Sequence, residues 1–160
     1  MREPNKKGLL KINTRISTFV CILLFSILIP SVAFSKDELL NSYPIEVIEV
    51  KDGDTLKVRV HQWIDTWLTT SIRIYGINTP EKTWRGKCDA ERALGEQATT
   101  FAKEWVKGHQ LHITKISNDK FGGRIDALVV RDDGQELGRA LIANGYAKPY
   151  YGKTKSSWCK

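Results

Sequence analysis

The chain contains few of the residues that build metal clusters, with three cysteines and three histidines among its 160 residues. The histidines are His61, His109 and His112, and their spacing to each other and to the cysteines matches no structural zinc site. Internal repeats and low-complexity tracts are also absent. These absences exclude a zinc-organised or repetitive architecture and leave a single compact domain, which suits the length of the chain.

Long apolar segments are scarce, because only residues 16–34 form one. Five basic residues and one acidic residue precede it, Pro30 interrupts it, and small residues stand near its end at Ala33 and Ser35. A basic start, a short apolar stretch and a small-residue site are typical of a secretory signal peptide, and we expect cleavage after Ser35. The alternative is an uncleaved membrane anchor, for which the stretch is only marginally long enough.

A strong net charge is also missing once that segment is removed. Loss of residues 1–35 takes away five basic residues and one acidic residue, which lowers the formal net charge from +7 to about +3. A mildly basic balance does not by itself indicate a nucleic-acid partner. The positions of the charged residues must carry any such argument.

Two cysteines remain outside the apolar segment, Cys88 and Cys159. An exported domain meets oxidising conditions, so an even pair of cysteines predicts a disulfide. The alternative is two unpaired thiols, since the sequence does not give the distance between them.

Alternation of apolar and polar residues predicts five strands, over 45–50, 56–60, 71–75, 110–116 and 125–130. Residues 61–68 are interpreted as a longer loop or as the flared end of a hairpin. A helical apolar stripe predicts a helix over 89–107, and a shorter helix is predicted over 136–144. The order β-β-β-α-β-β-α predicts an OB-fold, mainly β with helices (α+β), in which a five-stranded antiparallel β-barrel is capped by two helices.

Four polar stretches fall at turns and strand ends that such a barrel brings to one rim. They are Asp52-Gly53-Asp54-Thr55, Arg73, Asn78-Thr79-Pro80-Glu81 and Asp119-Lys120-Phe121-Gly122-Gly123-Arg124. Taken singly, each is an ordinary feature: a hairpin turn, a solvated strand residue, a loop with a surface acid and a flexible charged turn. Together they hold the residue types that phosphodiester hydrolysis requires.

Hydrolysis of a phosphodiester needs a hard cation with oxygen ligands and a carboxylate beside the attacking water. It also needs cationic groups for the charge that grows on the phosphoryl oxygens, and a planar guanidinium matches phosphate geometry. The residues that fill these roles are Asp54 with Asn78 or Thr79 as oxygen ligands, Glu81 as base, and Arg73 and Arg124 as clamps.

The same motifs resemble those of the staphylococcal nuclease (thermonuclease-like) family, in their order and in their relation to the predicted strands and helix. The resemblance covers about residues 45–151. It implies one calcium ion held by Asp54, by Asn78 and by the main-chain carbonyl of Thr79, with other divalent metals as alternatives. One departure concerns Asn78, where the family pattern has aspartate. An amide oxygen still ligates calcium but adds no charge, so we expect a lower metal affinity or an altered metal preference.

The resemblance further implies that Arg73, Glu81 and Arg124 are catalytic and that the P–O5′ bond is cut in single-stranded or frayed DNA and in RNA. The candidate substrate-binding residues are Lys120, Phe121 and Tyr151. An aromatic ring suits this role because every base has a π face. The tryptophans interpreted instead as packing or loop anchors are Trp63, Trp67 and Trp84.

We therefore expect a signal peptide over 1–35, a leader over 36–44, a nuclease-like barrel over 45–152 and a C-terminal tail over 153–160. The prediction is an exported monomer, periplasmic or secreted, that cuts DNA and RNA and meets the membrane only through its signal peptide; no protein partner is implied. Two alternatives are a catalytically silent nucleic-acid-binding module and an oligosaccharide-binding barrel, such as an exported toxin subunit. Asn78 favours the first, whereas two phosphate-matched arginines have no purpose in the second.

Overall fold

The computed structural model describes residues 41–120 and 122–159. The predicted signal peptide, residues 36–40 of the predicted leader, Phe121 and Lys160 lie outside the described residues. The strands in the described part are β1 (Tyr43–Asp52), β2 (Thr55–Trp63), β3 (Thr66–Ile74), β4 (Ile77–Asn78), β5 (Leu111–Asn118), β6 (Arg124–Arg131) and β7 (Lys148–Pro149). The helices are α1 (Asp89–Val106) and α2 (Leu137–Ala143), and a 3-10 turn spans Thr83–Arg85.

Five of the strands form a closed barrel in the order β1-β2-β3-β6-β5, while β4 pairs with β7 in a separate two-stranded sheet. The predicted five-stranded OB-type barrel with two helices is therefore confirmed. Alternate side chains of each strand point to the barrel interior. The strand residues that are at most 1 % exposed there are Leu56, Val58, Ile72, Ile74, Ile113, Ala127 and Val129.

The barrel closes through a parallel pair, which the antiparallel prediction did not contain. Residues Ser71–Ile74 of β3 pair in parallel with residues Arg124–Ala127 of β6. The chain passes through α1 and β5 between these two strands, and β5 runs antiparallel to β6. No local sequence signal marks this contact, because it joins strands that are distant in the chain.

The β2–β3 hairpin is longer than predicted. Its strands stay paired as far as Trp63 and Thr66, so only Ile64 and Asp65 form the turn. Residues 61–68 are thus the end of the β2–β3 hairpin, so of the two interpretations the hairpin end agrees with the structure and the longer loop does not. The alternation of apolar and polar residues that identifies a strand is lost here, because this end of the hairpin extends away from the core. Trp63 is 72 % exposed and Ile64 is 74 % exposed.

Helix α1 packs its small residues against the end of the barrel where β1 turns into β2. Its buried residues include Gly95, Ala98 and Ala102. A Cβ atom on Gly53 would lie 2.9 Å from Ala98 Cβ and 2.9 Å from Thr79 Cγ2. A glycine at this position therefore lets the β1–β2 turn, which carries Asp54, approach the helix and the segment after β4.

A disulfide joins Cys88, the residue before α1, to Cys159, across a sequence separation of 71. Lys148 of β7 helps to hold the same tail, since its ammonium donates to the Ser157 carbonyl at 2.8 Å and lies 4.1 Å from the centre of the Trp158 ring. The C-terminal segment is thereby fastened to the start of α1 and to β7. Among residues 41–120 and 122–159, no helix has the length and apolarity needed to cross a membrane.

Candidate active site

A cleft of about 860 Å³ opens at one end of the barrel. The β1–β2 turn, the end of β3 and the start of β6 meet there, because Arg73 pairs with Thr55 of β2 and with Asp126 of β6. The sequence-predicted site residues that line this cleft are Asp54, Arg73, Thr79, Glu81, Lys120, Arg124 and Tyr151. The fold thus collects residues from five separate stretches of the chain on one surface.

Asp54 lies at the base of the cleft and is 3 % exposed. Its Oδ2 accepts a hydrogen bond from the backbone N–H of Thr79 at 3.0 Å, and its Oδ1 accepts one from the Thr55 hydroxyl at 3.2 Å. The same carboxylate forms an ion pair with Arg73. A buried carboxylate held by several donors is fixed in position, and its oxygens are ligands of the kind that a hard cation prefers.

Arg73 is held by neighbours on two sides. Its guanidinium pairs with Asp54 and also donates to the main-chain carbonyl of Ile77 at 3.1 Å. Its side chain is 19 % exposed. A guanidinium carries five N–H donors, so two contacts leave donor capacity toward the cleft. The ion pair keeps the fork at a fixed angle, which favours recognition of a tetrahedral anion such as phosphate.

Asn78 and Thr79 follow Arg73 on the far side of a tight turn and are each 4 % exposed. Asn78 Oδ1 is buried and has no hydrogen-bond partner among the described residues. A buried amide oxygen without a partner is costly, so it marks a place for a missing donor or cation. Asp54 and Thr79 line the cleft and Asn78 does not. The Asp54 carboxylate, the Asn78 amide and the Thr79 carbonyl all offer oxygen atoms, and oxygen ligands fit a hard divalent cation.

Glu81 stands at the edge of the cleft, on a segment that rests on α1. A Cβ atom on Gly95 would lie 2.8 Å from the Pro80 carbonyl oxygen and 2.8 Å from the Lys82 nitrogen, so only glycine allows this approach. Glu91 Oε1 accepts a hydrogen bond from the Glu81 N–H at 3.4 Å. Its other oxygen accepts one from the Lys87 N–H at 2.8 Å, so one buried carboxylate fastens both ends of the segment.

Arg124 is the first residue of β6 and lines the cleft. It forms an ion pair with Asp119, with Nε and Oδ2 2.5 Å apart, and its side chain is 26 % exposed. Asp126, two residues later, also lines the cleft. Burial raises the pKa of Asp126, and the negative charge of Asp119 raises it further. The Arg124 side of the cleft therefore contains a mixed cluster of acids and bases rather than a purely cationic surface.

Tyr151 is 70 % exposed and contacts Tyr75 edge to face, with ring centres 5.8 Å apart. Its ring lies over Gly76, where an added Cβ would meet Tyr151 Cε1 at 3.1 Å. Gly76 has a φ of +79°, a conformation that glycine adopts without strain. The structure thus brings Tyr151 to the cleft together with Lys120, while Phe121 lies outside the described residues.

Among the cleft or supporting residues that were not recognised from the sequence are Asp52, Glu91 and Gly95. Asp52 accepts a hydrogen bond from the Asp54 N–H at 3.2 Å, and its pKa is raised to about 6 by burial and by the neighbouring Asp54 charge. Its place in the Asp-Gly-Asp-Thr turn was a usable signal. The roles of Glu91 and Gly95 depend on a contact between a helix and a loop, which no local pattern records.

Residues 71–158 match a protein-family model that is described as staphylococcal nuclease homologue. Among curated proteins, none is similar enough to this chain to count as a relative. The matched segment covers more than half of the chain and includes Arg73, Glu81 and Arg124. The chain therefore belongs to the staphylococcal nuclease homologue family, whose domain indicates a nuclease-like or nucleic-acid-binding function.

Proposed function

We propose that this protein is an exported, calcium-dependent phosphodiesterase that hydrolyses DNA and RNA. The observation that carries the proposal is that one cleft is lined by Asp54, Arg73, Glu81 and Arg124. These residues come from three strands or turns and from the segment before α1, so no local structural requirement explains why they share a surface. Their chemistry matches the needs of phosphodiester hydrolysis.

Arg73 and Arg124 are proposed to bind the scissile phosphate. Each is already held by a carboxylate, Asp54 and Asp119 respectively, which limits the rotamer entropy lost when substrate binds. Guanidinium groups that are fixed before the reaction stabilise the charge that develops on the equatorial oxygens. Removal of one such donor typically lowers kcat by about 10²- to 10³-fold.

Asp54, Asn78 and the Thr79 carbonyl are proposed to hold the calcium ion. A bound calcium ion would polarise a phosphoryl oxygen and a coordinated water. The buried Asn78 Oδ1 supports this assignment, because it has no hydrogen-bond partner among the described residues. Asp54 retains capacity for a cation, since a carboxylate has about four lone-pair sites for its contacts.

Glu81 is proposed to orient the attacking water and to accept its proton. The water oxygen forms the new bond to phosphorus, and the P–O5′ bond breaks with its electron pair going to the 5′ oxygen. Glu81 suits this role because Glu91 holds its main chain, while its carboxylate contacts Lys155 rather than Arg73 or Arg124 among the described residues. Its side chain is 39 % exposed, so water reaches it.

Export is proposed from the basic, apolar and small-residue order of residues 1–35, and the disulfide supports it. Disulfides persist in oxidising compartments and are rare in reducing ones. The expected product is a protein that starts at Lys36 and is recovered from periplasm or medium. Mass measurement of that material tests the proposal, and recovery only of the uncleaved chain in the membrane fraction would contradict it.

Nuclease activity is tested with single-stranded DNA and RNA in calcium and in chelator. We expect cutting in calcium, no cutting in chelator, and fragments that carry the phosphate on the 3′ end. Arg73→Ala, Glu81→Ala and Arg124→Ala should each abolish most of the activity. Arg139→Ala is the matched control, because Arg139 is 82 % exposed on α2 and pairs only with Glu136 among the described residues.

A catalytically silent nucleic-acid-binding module is the second candidate, and Asn78 is the observation that favours it. With asparagine at this position the ligand set has a single carboxylate at Asp54, which predicts weak metal binding. The two candidates differ in one result. Nucleic acid that is bound by the purified protein but left intact in calcium, magnesium and manganese would select the binding module.

A further inference from the structure

Trp84 is the most exposed large apolar side chain in the part of the chain that the structure describes, at 84 %. It belongs to the 3-10 turn Thr83–Arg85 and lines the cleft beside Glu81. An indole packed as a loop anchor would be largely buried, so that interpretation of Trp84 was wrong. Its exposure needs another explanation, because large exposed aromatic rings are often binding surfaces.

The turn that presents Trp84 is firmly held. The Gly86 N–H donates to the Thr83 carbonyl at 3.2 Å, and Arg92 donates to the Gly86 carbonyl at 2.7 Å. Gly86 is so closely packed that an added Cβ would lie 2.8 Å from the Glu81 carbonyl oxygen. Thr83 adopts a φ of 65°, which is rare for a β-branched residue and persists where surrounding contacts fix it.

One positive charge lies beside the exposed ring, and others line the same cleft. The Arg85 guanidinium lies 5.4 Å from the centre of the Trp84 ring, and Lys82 and Lys155 are among the cleft-lining residues. Lys155 is placed there by its contact with Glu81, at 3.3 Å between Nζ and Oε1. Aromatic rings interleaved with cations are the usual composition of a surface that binds single-stranded nucleic acid.

We infer that Trp84 is a stacking platform for a nucleobase that flanks the scissile phosphate, on the Glu81 side of the cleft. The inference rests on the proposed nuclease function and specifies its substrate: an unpaired strand, since bases inside a duplex are already covered by their neighbours. Trp84 follows Glu81 by three positions, so their Cα atoms are at most about 11 Å apart. A base on this ring therefore belongs to a nucleotide close to the phosphate that Glu81 serves.

Binding of a short single-stranded oligonucleotide in chelator, which prevents cutting, tests the platform. Trp84→Ala should weaken binding by about 5- to 150-fold, the range found for one base–aromatic stack. Trp84→Phe should retain most of the affinity, because it keeps a ring. Trp63→Ala is the matched control: Trp63 is 72 % exposed but lies at the hairpin end, away from the cleft-lining residues.

A second measurement distinguishes stacking from a structural role of the turn. In a series of oligonucleotides that carry an abasic site at successive positions, the wild-type protein should lose affinity at one position that depends on Trp84, apart from any position read by Tyr151 or Phe121. At that position the abasic site should weaken binding by the wild-type protein as much as Trp84→Ala weakens binding of the intact strand. The Trp84→Ala variant should bind the abasic strand and the intact strand equally well. A Trp84→Ala affinity equal to that of wild type and Trp63→Ala, or no binding by wild type, would overturn the inference.

Cleavage in calcium is measured in parallel, so that the two proposals can fail separately. If wild type cuts the oligonucleotide and Trp84→Ala binds and cuts it as well as Trp63→Ala does, the platform is wrong and the nuclease stands. If the loss of affinity at one abasic position depends on Trp84 but the wild-type protein leaves the strand intact in calcium, the stacking platform stands and the nuclease proposal is wrong.

Discussion

The ammonium group of Lys155 lies 3.3 Å from the carboxylate of Glu81, so a residue of the C-terminal tail touches the proposed catalytic base. Both side chains are substantially exposed, 48 % for Lys155 and 39 % for Glu81. An exposed pair of this kind contributes about 0–1 kcal/mol to stability. We expect the contact to matter for substrate binding instead, because it holds the positive charge of Lys155 in the cleft.

Lys155→Ala should therefore weaken substrate binding rather than chemistry. We expect KM for single-stranded DNA to rise and kcat to change little, because Lys155 is proposed to attract phosphate and not to react. The plot of log affinity against log salt concentration should become less steep by about 1, as expected for the loss of one phosphate contact. Lys153→Ala, an exposed neighbour outside the cleft lining, is the control. A large drop in kcat with an unchanged salt slope would contradict this assignment.

Gly95→Ala should lower kcat although alanine favours helix by about 1 kcal/mol over glycine. The added Cβ would meet the backbone of residues 80–82 at 2.8–2.9 Å and push Glu81 out of place. A shift near 1 Å at a reacting group can reduce the rate by about 10²-fold. Steady-state kinetics and helix content by circular dichroism check this. Gln97→Ala, on the exposed face of α1, should leave kcat unchanged.

The Asp52 carboxyl predicts an unusual dependence of stability on pH. Its pKa in the folded protein is raised from 3.8 to about 6, first by burial and then by the Asp54 charge. The folded state therefore holds this proton more tightly than the unfolded state does. The free energy of unfolding of the metal-free protein should fall as pH rises from about 4 to about 6, by on the order of 2 kcal/mol from this group.

Asp52→Asn should remove that decline, which urea unfolding at a series of pH values in chelator will measure. The amide carries no proton that titrates in this range and does not repel Asp54. Asp65→Asn at the exposed hairpin turn is the control and should keep the wild-type slope. An equal decline in wild type and Asp52→Asn would assign the effect to other groups.

Asn78→Asp should tighten calcium binding, because a second carboxylate would join Asp54 in the ligand set. We expect the dissociation constant from calorimetry to fall by about tenfold or more, which corresponds to about 1.4 kcal/mol. The metal-free variant should be less stable than wild type, since the new charge would sit where the side chain is 4 % exposed. Equal calcium affinity in both proteins would argue against Asn78 as a ligand.

Loss of the Cys88–Cys159 bridge should lower the free energy of unfolding by about 4 kcal/mol. The estimate follows from the entropy of closing a loop of 71 residues in the unfolded chain. Cys88→Ala/Cys159→Ala and reduced wild type should show the same shift in urea unfolding, with unreduced wild type as reference. A double variant as stable as the unreduced protein would show that the bridge is not formed in solution.

The barrel and α1 were predictable because their patterns are local. The apolar stripe of α1 placed the helix within one residue of its observed end at Val106. The β2–β3 hairpin end was only partly recognised, since exposed residues such as Trp63 break the alternation that identifies a strand. The parallel contact between β3 and β6 had no local signal at all.

At the cleft, too, local features were predictable and contacts between distant segments were not. Asp54, Arg73, Glu81 and Arg124 were identified by residue type and motif, and the structure brings them to one surface. The contacts that support Glu81 were not identified, because Gly95 and Glu91 act through backbone atoms of another segment. Trp84 was misjudged, since the sequence gives the type of a side chain but not its exposure.

The parallel pairing of β3 with β6 ties the assembly of the cleft to the closing of the barrel. Arg73 and Arg124 lie on strands more than 40 positions apart and become neighbours only when residues 71–74 join residues 124–127. Topologies dominated by such distant pairings fold slowly, on a scale of milliseconds to seconds, because chain entropy is lost before the contacts form. Recovery of activity during refolding should thus lag behind the formation of α1 and follow the closing of the barrel.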